Sequence, residues 1–517
     1  MKLFDSIAIN KPKLNKFDLS FEHKLSMKMG DIVPIYNEEV LPSDRFQVNS
    51  EIFIRFAPML APIMHRINAY VHYFYVPNRI IWDSWQDFIT GGTDGTSEPI
   101  IPYIRMETAT RAYFNKKRLP DRFGITPMSQ TGTLTDSEDI LALQFRAYAE
   151  IFNEYYVDQN VGEKIEFSKG SGRITDTQEI NDLTSIRKRA WEKDYFTSAL
   201  PWTQRGPEVT IPADVNYMDV SVAKTSGGDL ANTQRDIAHN PLGNLEVEGP
   251  GGVQTGRIEN IENLGLTIND LRQSNRLQQW LEKNARGGAR YVEQILSHFG
   301  VLVPDSRLQR PEYLGGGRAN VVISEVLNST GPTADPEGAD WVSPQGGYAG
   351  HGISVGNTNR FSRRFTEHGQ IIGLLSVLPK TAYQNGIPRQ FSRTSKFDYY
   401  FKEFAHLGEQ AIQNREIYTD FTGTPGSGKN TWAYQSRYAE YKSALSRVSG
   451  DFRDTLSYWQ MGRQFSSLPP FNENFVKADP TKRIFAVEDQ EEDELYVQAW
   501  NNVRALRPMP YHATPSL

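Results

Sequence analysis

Arg55-Phe56-Ala57-Pro58-Met59-Leu60-Ala61-Pro62-Ile63-Met64-His65-Arg66 leads into Ile67-Asn68-Ala69-Tyr70-Val71-His72-Tyr73-Phe74-Tyr75-Val76-Pro77, and Asn78-Arg79-Ile80-Ile81-Trp82 follows. Pro58 and Pro62 forbid a regular helix or a central strand over the first part, because proline fixes its φ and donates no hydrogen bond. The run that follows is aromatic and β-branched and stops at Pro77, as a strand does. Over Ile63–Val76 the residues divide by parity. Ile63, Ile67, Ala69, Val71, Tyr73 and Tyr75 share one side, and Met64, Arg66, Asn68, Tyr70, His72 and Phe74 share the other. One face is apolar and the other amphipathic. Such a strand suits a barrel, with one side in the core and the other against a neighbouring element or subunit. Ile80–Ile89 then reads as a short helix with Ile81, Trp85 and Phe88 on one side, ended by Gly91-Gly92.

Further strands are expected at Val321–Val326, Gln370–Leu378, Lys396–Phe401, Ile484–Val487 and Leu495–Val503. The last two flank Glu488-Asp489-Gln490-Glu491-Glu492-Asp493-Glu494, which predicts a hairpin with a solvated acidic turn. Three helices are expected. Asp136–Tyr156 carries Leu141, Phe145, Tyr148, Phe152 and Tyr155 at helical spacing, with Asp136 or Ser137 as N-cap. Thr267–Asn284 has Leu271, Leu277, Trp280 and Leu281 as its candidate buried side, and Tyr291–Phe299 closes at Gly300. These are too few for a layered α/β fold and read as insertions in a β framework. Residues 204–262 are turn-rich and weakly apolar, and Asn328–Asn359 forms a second such stretch.

The 517 residues can bury a large core, and 40 glycines with 29 prolines suit an all-β chain with many turns. Cysteine is absent, which excludes disulfides, thiolate metal sites and thiol nucleophiles. No apolar run has the length of a membrane span, and Met1–Gly30 lacks a signal-peptide core, so a cytoplasmic product is expected. The net charge of −6 gives the whole chain no nucleic-acid footprint. The first thirty residues differ, with six lysines against three acids. Lys11, Lys13, Lys16, Lys24 and Lys28 are the candidate nucleic-acid contacts of this basic N-terminal arm; a solvated tail has the same balance.

Two motifs imitate enzymes. Gly423-Thr424-Pro425-Gly426-Ser427-Gly428-Lys429-Asn430 nearly spells a phosphate-binding loop, but Asn430 replaces the magnesium-ligating hydroxyl. The mixed polar Arg415–Phe421 is also not the buried parallel strand the motif needs. Gly352-Ile353-Ser354-Val355-Gly356 matches a serine-hydrolase elbow, yet it lacks the strand before and the helix after. Both read as glycine-rich loops. His65 and His72, seven positions apart in one strand, point to opposite faces and share no metal. Tyr70–Tyr75 reads as core in preference to a base-stacking platform. No catalytic residue, metal site or cofactor is assigned.

The opening stretch, with Phe17-Asp18-Leu19-Ser20, Met29-Gly30-Asp31-Ile32-Val33-Pro34, Leu308-Gln309-Arg310-Pro311-Glu312-Tyr313-Leu314-Gly315-Gly316, Phe365-Thr366-Glu367-His368-Gly369, Arg437-Tyr438-Ala439-Glu440-Tyr441 and Arg507-Pro508-Met509-Pro510, resembles the major coat proteins of gokushovirus-like microviruses, tailless single-stranded-DNA phages. The resemblance covers most of the chain and thins between about Thr203 and Asn263. It implies one mainly β domain over 1–517: an eight-stranded antiparallel jelly-roll with long loop insertions carrying a few α-helices. It further implies a T=1 icosahedral shell of sixty copies around circular single-stranded DNA, part of the virion and assembled in the host cytoplasm. Its implied partners are a small basic DNA-binding protein, a DNA pilot protein and a host-cell surface receptor. Residues 204–262 are the candidate surface protrusion. Arg79, Arg105, Arg310, Arg363 and Arg364 are candidate subunit contacts, since interfaces favour arginine. The competing reading is a soluble jelly-roll carbohydrate-binding protein or glycosidase with an Asp/Glu pair in a cleft.

Overall fold

In the computed structural model, residues 13–132, 137–207, 209, 237–239, 245–247, 254–255, 268–288, 290–327, 348–423, 426–487 and 489–511 are described. The chain divides into two compact units: Met1–Trp202 with Arg290–Leu517, and Thr203–Ala289.

Ten strands frame the first unit: β1 (Asn15–Asp18), β2 (Phe21–Met27), β3 (Val33–Val40), β4 (Arg45–Phe56), β5 (Ile67–Pro77), β6 (Glu312–Asn320), β7 (Val322–Leu327), β8 (Tyr348–Arg364), β9 (Gly369–Pro379) and β10 (Leu495–Arg507). They form two sheets. One has the order β1-β10-β4-β8-β7, with β2 also paired to β10; the other has the order β6-β5-β9-β3. Every pairing in both is antiparallel.

Alternation explains why the sheets face each other. In β4, Phe46, Val48, Ile52, Ile54 and Phe56 are buried while their odd-numbered neighbours meet water more freely. Those residues pack with Val497, Ala499, Val503 and Ala505 of β10 and with Ile67, Ala69, Val71, Tyr73 and Tyr75 of β5. A polar rung crosses this core. The Tyr73 hydroxyl donates to Ser50 Oγ, Ser50 donates to Asn501 Oδ1 at 2.5 Å, and Asn501 Nδ2 donates to the Ile35 carbonyl at 2.9 Å. Buried polar groups need such partners, so this rung resists a register slip.

The central strands of the second sheet, β5 and β9, are buried on both sides. Every residue of β9 is buried, and only His72 of β5 is less than fully so. On the far side, Phe74, Val76, Ile372 and Leu374 pack against Trp82, Trp85 and helix α1 (Leu143–Ile151), through Leu143, Phe145, Ala147 and Tyr148. One turn of π-helix, Phe152–Tyr156, continues α1. Helix α2 (Thr177–Thr184) adds Ile180 and Leu183 to this cluster, and the Asp176 carboxylate caps it by accepting from Gln178 N at 2.9 Å. Where β6 approaches β5, a Cβ on Gly316 would lie 2.1 Å from the Val71 carbonyl oxygen, so only glycine fits. A smaller cluster gathers Tyr195, Phe196, Tyr383, Ile412, Ile417, Ala433 and Phe475 around the hairpin Glu409–Gln413/Thr431–Ser436.

Several sequence expectations are corrected. The strand begins at Ile67, not Ile63, because Ile63–Arg66 is tied to other segments, with Met64 N bonded to the Trp459 carbonyl and Lys380 N to the Arg66 carbonyl, each at 2.8 Å. The helix over Ile80–Ile89 is two short helices, Asn78–Ile81 and Trp85–Thr90, the second closed by Gly91 at φ 79°. The helix expected from Asp136 begins at Leu143, because Glu138–Leu141 pairs as a strand with Tyr103–Met106. Asp136 lies outside the described residues, and Ala142 stands at the N-cap without a side-chain cap bond. Lys396–Phe401 is not a strand. The Asp398 carboxylate accepts from Thr394 N at 2.9 Å and Ser395 N at 2.8 Å, and this capping box turns the chain into 3₁₀ geometry.

Ile484–Val487 is no strand either, and the hairpin with an acidic turn does not form. Ile484 and Phe485 are core residues, and Phe485 makes one isolated bridge to Met59. The end of the stretch read as a loop over Asn328–Asn359, from Tyr348 onward, belongs to β8; residues 328–347 lie outside the described residues.

In the second unit the described backbone holds a three-stranded antiparallel sheet (Ile237–His239, Leu245–Val247, Gln254–Thr255) and helix α3 (Ile268–Gly287). Leu271, Leu277 and Trp280, expected to be buried, are about half exposed, and Leu281 is only partly covered. Helix α4 (Tyr291–Phe299), in the first unit, closes at Gly300 with φ 70°, as its sequence predicts.

Candidate assembly and nucleic-acid surfaces

The enzyme-like motifs sit in places unsuited to catalysis. Gly352–Gly356 lies inside β8, so Ser354 occupies a strand and no elbow. Ser427–Lys429 is a single 3₁₀ turn that leads into the hairpin strand Thr431–Ser436. His65 lies outside β5 and bonds the Lys380 carbonyl at 2.6 Å. His72 Nδ1 meets the Tyr156 hydroxyl at 2.9 Å; burial first, then Arg189, lowers its pKa to about 4, so it stays neutral near pH 7.

The five candidate interface arginines have partners within their own chain. Arg79 grips Glu367 through Nε at 2.6 Å and a terminal nitrogen at 3.2 Å. Arg105 holds Asp139 in the same two-pronged way at 2.7 and 2.9 Å, which fastens the Tyr103–Met106 hairpin. Arg310 lies over the Tyr155 ring at 4.6 Å and pairs with Asp305 at 3.2 Å. Arg363 pairs with Glu312 at 2.8 Å, and Arg364 donates to Ser43 Oγ at 3.3 Å.

Of the N-terminal lysines, Lys11 lies outside the described residues. Lys13 precedes β1, Lys16 lies on β1 and Lys24 on β2, all exposed. From Asn15 onward this segment is sheet edge and no free tail, because Phe17, Leu19, Phe21 and Leu25 have apolar neighbours to cover. Lys28 turns elsewhere and donates to the Gln490 carbonyl at 2.6 Å.

That contact opens onto a charged cavity of about 720 Å³. The acidic run was expected at a solvated tip, but its end is buried. Asp493 and Glu494 are 7 % and 5 % exposed. Arg122 meets Asp493 at 3.4 Å and Lys482 meets Glu494 at 3.5 Å. Glu494 Oε1 accepts from Met29 N at 2.8 Å, while Lys117 Nζ donates to the Glu491 carbonyl at 2.7 Å. Amines fasten the loop where carboxylate repulsion alone would release it.

Across the cavity, burial raises the Asp31 carboxyl to about 7; Lys188 opposes this, and Glu494 adds to it. The folded pKa exceeds the unfolded value, so folding favours the protonated form. Stability therefore falls as pH rises from about 4 to about 7. Asp31 as a whole is only partly covered, so water screens the penalty, and about 2 kcal/mol is its expected size. Asp31→Asn is expected to raise the urea midpoint at pH 8 and leave it unchanged at pH 4. An equal gain at both would contradict the assignment.

Among the described residues, exposed apolar side chains concentrate between Arg389 and Leu407. Phe391 is 71 % exposed and Leu407 62 %, with Phe397, Tyr399, Tyr400 and Phe401 between them near half. The 3₁₀ turns here present rings outward, where a strand would have hidden alternate ones. A second stretch follows α4: Phe299 and Leu302 are each 78 % exposed, and Val301 lies between them. Soluble monomers seldom leave such concentrations in water, whereas obligate interfaces bury them. The capping box at Ser395 and Asp398 is the sequence signal that points to the first surface.

Over residues 6–517 the chain matches the family described as capsid protein (F protein). It belongs to that family. The capsid protein VP1 of Chlamydia phage 1 is 32 % identical over 597 residues, covering 99 % of this chain and 97 % of that one. VP1 of Bdellovibrio phage phiMH2K is 33 % identical, covering 97 % and 95 %, and VP1 of Spiroplasma virus 4 is 29 % identical, covering 95 % and 93 %. The chain is a microvirus major capsid protein, a structural component of the virion and not an enzyme. The carbohydrate-binding and glycosidase reading falls with that assignment. The exposed aromatic segment then gains a reason, since a capsid subunit works only in contact with further copies.

Proposed function

We propose that sixty copies of this capsid protein close into a T=1 icosahedral shell around circular single-stranded DNA, built on an eight-stranded jelly-roll. The strand orders support the fold. Counting β1 and β2 as one strand interrupted at Leu19-Ser20, and β7 as an added edge, the chain visits the two sheets in the sequence first, second, first, second, second, first, second, first. That alternation, with four strands in each sheet, supports the winding of two Greek keys. The observation that carries the shell is the exposed aromatic segment, because closed symmetry buries such a patch identically in every copy.

The packaged DNA requires basic partners. Sixty chains at −6 sum to about −360, which cannot neutralise a polyanion, so a small basic DNA-binding protein is part of the proposed particle. A DNA pilot protein completes it, and assembly takes place in the host cytoplasm.

Host attachment is assigned to residues 204–262. Support comes from the second compact unit, Thr203–Ala289, which contains them, and from their poverty in aliphatics. Loop closure cost rises slowly with length, so shortening such a segment costs the framework little. Replacing Thr225–Gly256 by a short Gly/Ser linker is expected to leave particle yield intact and to reduce adsorption to host cells. Loss of particles would make the segment framework, and unchanged adsorption would remove its receptor role.

A further inference from the structure

The first sheet turns one face to the second sheet and the other to water. On the outward face the ladder sets side chains in rows. Lys16, Arg45 and Arg364 lie in one row, with Arg364 directly opposite Arg45. Arg504, Gln47 and Ser362 form the next, beside Asp18. Asn502, Asn49 and Arg360 form the third. Farther along the same face, Tyr496 of β10 stands opposite Arg55 of β4, and Trp500 stands between Glu51 of β4 and Glu22 of β2; both rings are close to half exposed.

Lys16, Lys24, Arg45, Arg55, Arg360, Arg364 and Arg504 make seven exposed cations, against the three exposed carboxylates Asp18, Glu22 and Glu51. This face is therefore positive on a chain whose net charge is −6. Like charges directly opposite on neighbouring strands destabilise a sheet, and an anion between them relieves it. Between the second and third rows lies a groove of about 590 Å³, lined by Gln47, Asn49, Arg360, Ser362, Asn502 and Arg504. The Asn49 Oδ1 atom beside it is buried and accepts no hydrogen bond from the protein.

The geometry points to this face as a binding surface for single-stranded nucleic acid, with phosphates at Arg45, Arg360, Arg364 and Arg504 and bases over Trp500 and Tyr496. The inference rests on the reading of the shell as a genome container and adds where the strand lies. Guanidinium groups take phosphate oxygens in pairs, carboxamides bond base edges, and exposed rings stack unpaired bases; a flat sheet offers all three at once. A protein partner would need carboxylates to meet the four arginines. A duplex would leave the rings unused.

The test is anisotropy of a labelled thymidine 20-mer with full-length protein dissociated to subunits, across a salt series, in parallel with micrographs of particles before dissociation. Arg45→Gln, Arg360→Gln and Arg504→Gln combined are expected to weaken binding at least tenfold and to lower the slope of log K against log salt by about 2, at about 0.7 for each phosphate lost. The matching triple change to lysine is expected to restore most of the slope, which separates charge from misfolding. Trp500→Leu is expected to weaken binding about tenfold and leave the slope unchanged. An unaltered slope in the glutamine variant overturns the assignment, as does duplex binding as tight as single-strand binding. Loss of particles with unchanged oligonucleotide binding overturns it too, and makes the face a contact between copies. The micrographs of unaltered protein judge the shell reading separately.

Discussion

Val71→Asp is expected to leave no soluble capsid protein and no particles. Val71 is 2 % exposed, on the β5 face that meets the first sheet. It stands in register with Gly317 on one side and Leu375 on the other. Neither neighbour has a polar side chain with which to meet a carboxylate. An unpaired buried charge costs several kcal/mol, a large share of the 5–15 kcal/mol that holds a typical domain together. Val71→Ala removes volume without adding charge, costs about 2 kcal/mol, and is expected to assemble at reduced yield. Soluble fraction and particle count measure both. Normal yield from the aspartate variant would refute the placement of β5.

Serine at Phe391, Phe397 and Leu407 together is expected to have the opposite signature: a soluble, folded subunit that does not assemble. These side chains are exposed, so their removal opens little space in the core. In an interface, buried aromatic anchors contribute 2 kcal/mol or more each, and a shell repeats that loss at every contact. Particle yield is expected to fall at least tenfold while the thermal midpoint of the subunit stays within a few degrees. Full yield would show that the segment remains exposed in the assembled state.

Much of the β framework was legible because strand alternation leaves a period-two trace. β5, β9 and β10 were placed to within a few residues, since each carries a long aliphatic or aromatic run with no competing local bond. Failures came where short polar side chains bond the nearby backbone. Asp398 turned Lys396–Phe401 into 3₁₀ geometry, and propensity gave no warning because the apolar count is strand-like. The acidic run misled for another reason. Charge repulsion belongs at a solvated tip only when no cations converge, and Lys28, the pair Lys117 and Arg122, and Lys482 come from three distant places in the chain. Helix α3 shows the limit of an apolar stripe as a guide, because Leu271 and Trp280 have the spacing of a packed face without being buried in one chain.

The surfaces were harder to read than the fold. Arg79, Arg105, Arg310, Arg363 and Arg364 each have a partner inside the chain, and residue type alone does not say which of them also meets another copy. Of the basic sheet face the sequence singles out only Lys16 and Lys24, because its members come from β1, β2, β4, β8 and β10, which meet only through the ladder. Net charge averaged it away.

The mass of the assembled protein in solution tests the central claim most directly. Sedimentation or native mass spectrometry of the purified chain, 58.8 kDa as a monomer, is expected to give one closed species of about 3.5 MDa, sixty copies in point-group symmetry. A stable monomer or small oligomer, with the aromatic segment still exposed at assembly concentrations, would contradict it.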